Sequence, residues 1–306
     1  MKTAAIDSAV HAGRKKDITA VRVLVWLVIA LLLFVTLFPF YWVIRTSFTP
    51  ASLIYTESAR LIPSRLTGMN YVRVLGFVTA EESLALGGSG QSVNFLVNLR
   101  NSLILAVVTT VCQVFFCSMA GYGFSRVRFP GRDKLFALIL ATMMVPGVVM
   151  MIPNFVFIRK LNLLNTYVGI MLPALFMTPY SVFFMRQFFM GINKEIEEAA
   201  YIDGAGQYRT FFMIIMPLMQ TAVTTLAVTI AINTWNDYMW PLIVGRKEEL
   251  RTLTVALGVF RSQTPQGQPD WSGMMAGTVL AIIPAFIIYA FLGKKIVNSI
   301  QFSGFR

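Results

Sequence analysis

Six uncharged, apolar stretches constrain the fold of this chain more than any other feature. A bilayer hydrocarbon core of roughly 30 Å is crossed by about 20 helical residues, and each stretch is of that size. A helix at the surface of a soluble protein carries a polar face, which these stretches lack. The sequence therefore predicts an all-α membrane protein with six transmembrane helices. The predicted spans are Val23–Ile44, Asn101–Ser125, Leu135–Ile158, Leu161–Met185, Thr210–Asn236 and Trp271–Gly293.

The distribution of lysine and arginine predicts the orientation of these spans, because cytoplasmic flanks are richer in positive charge. With the N-terminus inside, the inner segments hold fifteen of these residues and the outer segments eleven. Both termini are therefore expected in the cytoplasm. The expected division is a poorly ordered tail at 1–20, a membrane domain at 21–293 and a second tail at 294–306. The net charge of +12 reflects topology, and no basic cluster with interleaved aromatics indicates nucleic acid.

The sequence lacks the groups that an enzyme or an ion-coupled transporter needs. His11 is the only histidine, so no cluster of histidine and cysteine is available to hold a metal. There is no G-x-x-x-x-G-K-[ST] phosphate loop. No Asp, Glu, Lys or Arg lies within the six predicted spans, although ionisable groups at membrane depth are typical of ion-coupled transport. We therefore expect a transport pathway without its own energy source, and not an enzyme.

The segment between the fourth and fifth spans, residues 191–218, is unusually polar for this chain. Its first part can form a short amphipathic helix with acidic side chains that suit basic residues of a partner. Ala199 and Ala200 are small enough to let that helix sit in a groove. Gly204 and Gly206 permit a sharp bend before the next span. The acidic residues are Glu195, Glu197 and Glu198.

The same segment resembles the EAA signature of ABC importer permease subunits. It contains Glu198-Ala199-Ala200, then Gly204, Ile214 and Met216-Pro217 at the family spacing, with Met216 where the family prefers leucine. The resemblance implies the type I ABC importer permease fold. In that family, this coupling helix docks in a cleft of the nucleotide-binding subunit and transmits ATP-driven closure. The coupling residues that it implies are Glu195, Glu198, Ala199, Ala200, Asp203 and Gly204.

Four further motifs resemble the six-span permease of maltose-type carbohydrate importers. The resemblance implies a neutral carbohydrate cargo and a paralogous second permease of eight spans. It also implies an ATPase dimer that binds ATP and Mg²⁺, an external sugar-binding protein and surrounding membrane lipid. No cofactor is expected in this chain. The motifs are Phe38–Trp42, Asn98–Ser102 (N-x-x-N-S), Trp235–Leu242 (W-N-[DE]-[FY]-x-x-P-L) and Thr252–Val255.

Residues at the end of the fifth span are candidates for the translocation pathway, because amides and aromatic rings suit sugar hydroxyls and sugar faces. A purely structural role remains the alternative for the asparagines. Aromatic residues also concentrate at the membrane interface, and this reading is favoured for Trp240. The candidates are Asn233, Trp235, Asn236, Asp237 and Tyr238.

The loop Arg261–Trp271 is a candidate contact with the binding protein. It is polar and rich in proline and glutamine, so it cannot bury itself. In the maltose-type family the corresponding loop reaches into the binding protein's cleft, although an inert connector remains the alternative. The implied contact residues are Ser262, Gln263, Thr264, Gln266 and Gln268.

Two other functions stay open at this point. The first is a permease for glycerol phosphate or another polar solute, although uncharged spans disfavour an anionic cargo. The second is a channel-like membrane protein, which would need neither ATP nor partner subunits.

Overall fold

The structure is a computed structural model that describes residues 2–90, 93–261 and 267–302. These residues form helices and connecting turns, and no β-strand occurs among them. The helices in chain order are α1 Lys2–Ser47, α2 Met69–Val74, α3 Ala80–Ala85, α4 Phe95–Arg126, α5 Arg132–Thr142, α6 Gly147–Lys160, α7 Tyr167–Leu175, α8 Pro179–Met190, α9 Glu195–Ile202, α10 Gln207–Arg209, α11 Met216–Leu218, α12 Gln220–Asn236, α13 Met239–Val244, α14 Leu253–Leu257 and α15 Trp271–Phe302.

Three helical segments are long and apolar enough to cross a membrane unbroken, namely Val21–Ser47, Phe95–Arg126 and Trp271–Ile288. Three further pairs of helices are bent at a short break. They are long and apolar enough to cross a membrane only when each pair is counted as one span. The bends are 100° between α5 and α6, 43° between α7 and α8, and 78° between Gln207–Leu218 and α12. These six units lie where the sequence predicts spans, so an all-helical membrane protein is confirmed at this level.

The helix breaks follow the prolines. Pro146 and Pro179 stand at the α5–α6 and α7–α8 breaks, and Pro217 lies two residues before the third. Proline lacks the N–H that would continue the helical ladder, so carbonyl groups are left free. At the α7–α8 break, α4 supplies replacements. Gln113 Nε2 donates to the carbonyl of Ala174, and Cys117 Sγ lies 3.8 Å from the carbonyl of Phe176.

The first and last helices extend further than expected. α1 begins at Lys2 and α15 continues to Phe302. Residues 2–20, which were expected as a tail, continue the helix of the first span. Nothing interrupts that helix because residues 2–38 contain neither a proline nor more than one glycine.

Helices α4, α8 and α12 form the centre of the bundle. A buried apolar cluster joins them, with Cys117 and Tyr122 from α4, Met185 from α8 and Leu226 from α12. By contrast, the part of α1 that lies in the first span is exposed along Val21–Phe40. That surface is covered by lipid or by another subunit in a membrane.

A fully buried ion pair lies at the end of the bundle that carries α2. Arg73 Nη1 lies 2.7 Å from Asp270 Oδ2, and the two side chains are 2% and 0% exposed. Arg73 also donates to Asn70 and Ser272, while Asp270 accepts from the backbone N–H of Gly273 at the start of α15. The pair thus joins α2 to the first turn of α15.

Gly88 makes room for this pair. A Cβ at Gly88 would lie 1.9 Å from Arg73 Nη1, so no larger residue fits while Arg73 holds its position. The absence of a side chain at Gly88 therefore lets the backbone pack directly against the buried guanidinium group of Arg73.

We predict that Arg73→Ala lowers the free energy of unfolding by about 3–5 kcal/mol, because it leaves Asp270 buried without its counter-ion. Arg251→Ala is the matched control. Its partner Glu248 is 83% exposed, and such a pair contributes about 0–1 kcal/mol. Thermal melting of both purified variants in detergent measures the difference. Equal melting temperatures for the two variants would show that the buried pair is dispensable.

Candidate functional site

A cavity of about 740 Å³ opens between the helices at the centre of the bundle. Its walls come from α4, α6, α7, α8, α12 and α13. Amide and hydroxyl side chains line much of it, and Asp237 is the only carboxylate. No lysine or arginine lines it in the part of the chain that the structure describes. The polar lining residues are Thr109, Gln113, Asn154, Thr178, Tyr180, Ser181, Thr229, Asn233, Thr234, Asn236 and Asp237.

The wall formed by α4 and α8 is held by hydrogen bonds between side chains. Ser181 Oγ donates to Gln113 Oε1 at 3.2 Å, and Thr178 Oγ1 donates to Ser181 Oγ at 2.8 Å. Gln113 is buried, and its other end caps the α7–α8 break. The sequence analysis did not select Gln113 or Asn154. The available signal was a polar amide within an otherwise apolar predicted span.

Three of the five predicted pathway residues lie at this cavity. Asn233 and Asn236 are exposed on α12, and Asp237 follows directly after that helix. Burial raises the pKa of Asp237, while the hydrogen bond that its Oδ1 accepts from the backbone N–H of Trp240 opposes this effect. The predicted segment therefore contributes three residues to the cavity lining, and their role in a translocation pathway stays a prediction.

The other two predicted pathway residues point elsewhere. Trp235 is buried in a second apolar cluster with Val74 and Leu253. Tyr238 lies against Gly258, where an added Cβ would be 3.3 Å from the tyrosine ring. Both residues pack the span against neighbouring elements. Residues 235 and 236 are consecutive on a helix, so their side chains point in directions about 100° apart.

Trp240 lines the cavity instead. Its ring N–H donates to the carbonyl of Ile170 at 2.9 Å, so the indole is held against α7. The interpretation of Trp240 as an interfacial anchor took account only of its place at the end of a span. The structure adds a fixed aromatic face beside the amides of α12.

Two motifs that the sequence analysis singled out meet in the structure. Asn101 Nδ2 donates to the carbonyls of Glu249 and Arg251 at 2.7 and 3.0 Å. Ser102 Oγ accepts from the backbone N–H of Leu253 at 2.8 Å. The N-x-x-N-S segment at the start of α4 therefore holds the chain that precedes and begins α14.

The predicted coupling helix is α9. It lies near the C-terminal end of α4, whereas α2 lies near the N-terminal end of α4. α4 has 32 residues, so these ends are about 48 Å apart at 1.5 Å per residue. α9 presents one face outward at the spacing of a helix. That face carries two acids, a small residue and an isoleucine that is 86% exposed. Its residues are Glu195, Glu198, Ala199 and Ile202.

One residue of the predicted coupling set, Ala200, points inward, and so does Glu197, an acidic residue of the same helix that is not in that set. Ala200 is 5% exposed, because other residues of this subunit cover it. Glu197, one of the acids expected to meet a partner, is buried and lies 3.1 Å from Arg126. The small side chain of Ala200 thus serves the packing of α9 within this subunit, and Ala199 remains the small residue on the exposed face.

Gly204 ends α9 in a left-handed conformation, with φ of +78°. The N–H of Ala205 donates to the carbonyl of Ala200 at 2.9 Å, and the N–H of Gly204 to that of Tyr201 at 3.0 Å. This is the Schellman arrangement that terminates many helices. Asp203, the last residue before it, is exposed. The predicted bend at Gly204 is confirmed.

Most of the predicted contact with a binding protein lies outside the described residues. This applies to Ser262, Gln263, Thr264 and Gln266. Gln268 is described and is exposed. In the described chain, the base of this loop is closed by a hydrogen bond from the N–H of Asp270 to the carbonyl of Phe260 at 3.0 Å.

No group of three or more metal-binding side chains occurs among the described residues. A bundle of apolar helices around a cavity that is lined by apolar and mostly uncharged polar side chains is the architecture of a membrane permease. The chain belongs to the family described as binding-protein-dependent transport system inner membrane component, whose profile matches residues 113–301. The EAA signature lies within that matched region, and the resemblance seen in the sequence is confirmed.

Relatives with known roles match nearly the whole chain. It is 32% identical to the arabinooligosaccharides transport system permease protein AraQ of Halalkalibacterium halodurans, over 93% of this chain and 97% of that protein. It is 31% identical to the trehalose/maltose transport system permease protein MalG of Thermococcus litoralis, over 91% and 95%. It is also 31% identical to the sn-glycerol-3-phosphate transport system permease protein UgpE of Yersinia pestis, over 90% and 94%.

A solved structure shares the fold. It is a bacterial ABC transporter involved in the import of the acidic polysaccharide alginate. The TM-score is 0.72 at 25% identity, over 88% of this chain and 93% of that one. The chain is therefore a permease subunit of an ABC importer, a protein of the inner membrane.

We predict that Gly204→Val reduces transport several-fold while the protein still inserts into the membrane. A Cβ at Gly204 meets no atom within 4 Å. The cost therefore comes from the left-handed backbone, about 1–3 kcal/mol for such a residue.

Gly206→Val is the matched control for this test. Gly206 also has open space around it, but its φ of −71° suits any residue. Transport by membrane vesicles is the measurement. Gly204→Asn should fall between the two variants, because asparagine tolerates the left-handed region. Equal loss from both valine variants would contradict the backbone explanation.

Proposed function

We propose that this chain forms half of the translocation pathway of an ATP-driven importer for a neutral carbohydrate, either a sugar or an oligosaccharide. The observation that carries the proposal is the cavity of about 740 Å³ lined by amides, hydroxyls and Trp240, without a cation among the described residues. Its volume lies within the range of about 300–1,000 Å³ that is usual for small-molecule sites.

The lining chemistry favours an uncharged, hydroxyl-rich cargo. Amides such as Asn233 and Asn236 both donate and accept hydrogen bonds, as sugar hydroxyls do. A phosphate or carboxylate is normally bound by arginine or lysine, and Asp237 would repel it. Two of the relatives named above carry names for neutral saccharide transport, which agrees with this reading.

We propose six spans with both termini in the cytoplasm, so that α9 faces the cytoplasm and the loop after α14 faces outward. In this arrangement the tails are residues 1–20 and 294–306, and 21–293 form the membrane domain. The partners are a paralogous second permease of eight spans, an ATPase dimer and an external sugar-binding protein. The chain itself is not an enzyme, because ATP and Mg²⁺ bind in the ATPase.

The complete importer, reconstituted in lipid vesicles with its binding protein, tests the cargo. We expect ATP hydrolysis to be stimulated by neutral mono- or oligosaccharides in a panel. sn-Glycerol-3-phosphate and an acidic oligosaccharide should not stimulate it. Stimulation by sn-glycerol-3-phosphate alone would support the polar-solute alternative instead. Uptake without ATP and without the partners would support a channel.

The exposed face of α9 is the proposed docking surface for the ATPase. Glu195 and Glu198 offer carboxylates, Ala199 permits close approach, and Ile202 offers an apolar anchor that is 86% exposed in this subunit. Asp203 and Gly204 follow at the end of the helix.

Glu198→Lys is predicted to release the ATPase or to uncouple ATP hydrolysis from transport. A like-charge contact at a desolvated interface costs several kcal/mol. Co-purification of the ATPase and uptake by vesicles are the two measurements. Glu81→Lys, the same exchange at an exposed position of α3, is the control. Normal assembly together with normal uptake in Glu198→Lys would remove α9 as the docking surface.

We further propose that residues 262–269 contact the binding protein near its sugar site. Asp270, which was also expected to take part, is buried in its pair with Arg73. The amide and hydroxyl side chains of this loop can replace protein contacts to sugar hydroxyls. The N–H of Asp270 donates to the carbonyl of Phe260, so the two ends of this segment are held together. Uptake at limiting sugar after deletion of residues 263–268 measures the effect, and unchanged uptake would identify the loop as a connector.

A further inference from the structure

A buried ion pair connects the coupling helix to the helices of the cavity. Arg126 is the last residue of α4, and its Nε lies 3.1 Å from Oε1 of Glu197 in α9. The side chains are only 6% and 11% exposed. Both charges are therefore largely removed from water, where the loss of one partner leaves the other uncompensated.

Arg126 also binds α8. Its Nη2 donates to the carbonyl of Phe189 at 2.7 Å and to the carbonyl of Ile192. Both carbonyls belong to the end of α8 and the turn that follows, where helical carbonyls lack partners within the helix. One guanidinium group thus joins the ends of α4 and α8 to the first turn of α9.

Helices α4 and α8 are already packed as one unit. A Cβ at Gly121 of α4 would lie 2.7 Å from Cβ of Met185 in α8, so the two backbones are in close contact. Arg186 Nε donates to the carbonyl of Phe124 at 3.2 Å. About three turns from Phe124 on α4, and about one and a half turns from Arg186 on α8, the same two helices supply Gln113 and Ser181 to the cavity wall.

We propose that the Arg126–Glu197 pair is the link that transmits displacement of α9 to the α4–α8 unit, and through it to the cavity. Arg126 and Glu197 are then positioning residues, because neither contacts the cargo and Glu197 does not face the docking surface. This inference rests on the proposed function. It adds a specific route between the docked face of α9 and the residues of the pathway.

Glu197→Gln is the first test, because glutamine keeps the shape and removes the charge. The reconstituted importer should retain its ATPase through purification. The number of sugar molecules transported per ATP hydrolysed should fall at least about fivefold, the lower end of usual coupling between sites. Glu81→Gln, at an exposed position of α3, is the matched control and should keep the wild-type ratio. An unchanged ratio in Glu197→Gln would overturn the proposal.

A reversible bridge separates transmission from a general loss of stability. Arg126→Cys and Glu197→Cys are combined in a chain with Cys112→Ser and Cys117→Ser, after that background is shown to transport. A cleavable bis-maleimide then joins the two thiols. We expect a low transport-to-ATP ratio before bridging, recovery after bridging, and loss again after cleavage of the reagent. An equal ratio in all three states would overturn the proposal.

Failure of the proposed function is distinguishable from failure of this inference. If the wild-type importer transports no sugar in the panel, the proposed cargo is wrong before any variant is measured. If the wild type transports sugar and both tests leave the ratio unchanged, the link alone is wrong.

Discussion

The absence of water in the bilayer core is the constraint on which the rest of this structure depends. Each backbone N–H and C=O released by a break in a helix must find a partner within the protein, and three of the apolar units are pairs of helices bent at a short break. The α7–α8 break shows how the requirement is met, because Gln113 and Cys117 of α4 approach carbonyls that α7 and α8 leave free. The same amide lines the cavity, so a residue that repairs the backbone also contributes the polarity of the pathway. Gln113 therefore serves both the helix break and the polar part of the cavity wall.

The two ends of the bundle use buried arginines in different ways. At the α2 end, Arg73 and Asp270 form a fully buried pair with hydrogen bonds to Asn70, Ser272 and backbone groups. This network joins elements that are almost 200 residues apart in the chain. At the α9 end, Arg126 binds a carboxylate on one side and two helix-end carbonyls on the other. We interpret the first as an anchor for the outer elements and the second as the link that moves with α9.

The family motifs acquire physical explanations in this setting. Asn101 and Ser102 hold the backbone before and within α14, so the N-x-x-N-S segment supports the end of the fifth span. Trp235 fills an apolar cluster, whereas its neighbour Asn236 faces the cavity, and a single helical step separates the structural from the polar role. Gly204 supplies the left-handed residue that ends α9 and frees its outward face. The proposed docking of an ATPase on that face and the proposed carbohydrate cargo depend on these three placements.

The sequence by itself determined the membrane class, the positions of the six apolar units, the bend at Gly204 and the family. These properties depend on local composition and spacing, which a linear reading can measure. It also located the segment of α12 that reaches the cavity, but not which of its residues face inward, because that depends on the rotation of the helix against its neighbours. Only the tertiary structure decided that Glu197 is paired with Arg126, that Ala200 is packed inward and that Gln113 serves a broken span. Each of these roles is a contact between residues about 60 or more positions apart or a choice of helix face, and such contacts leave no periodic signal in the chain.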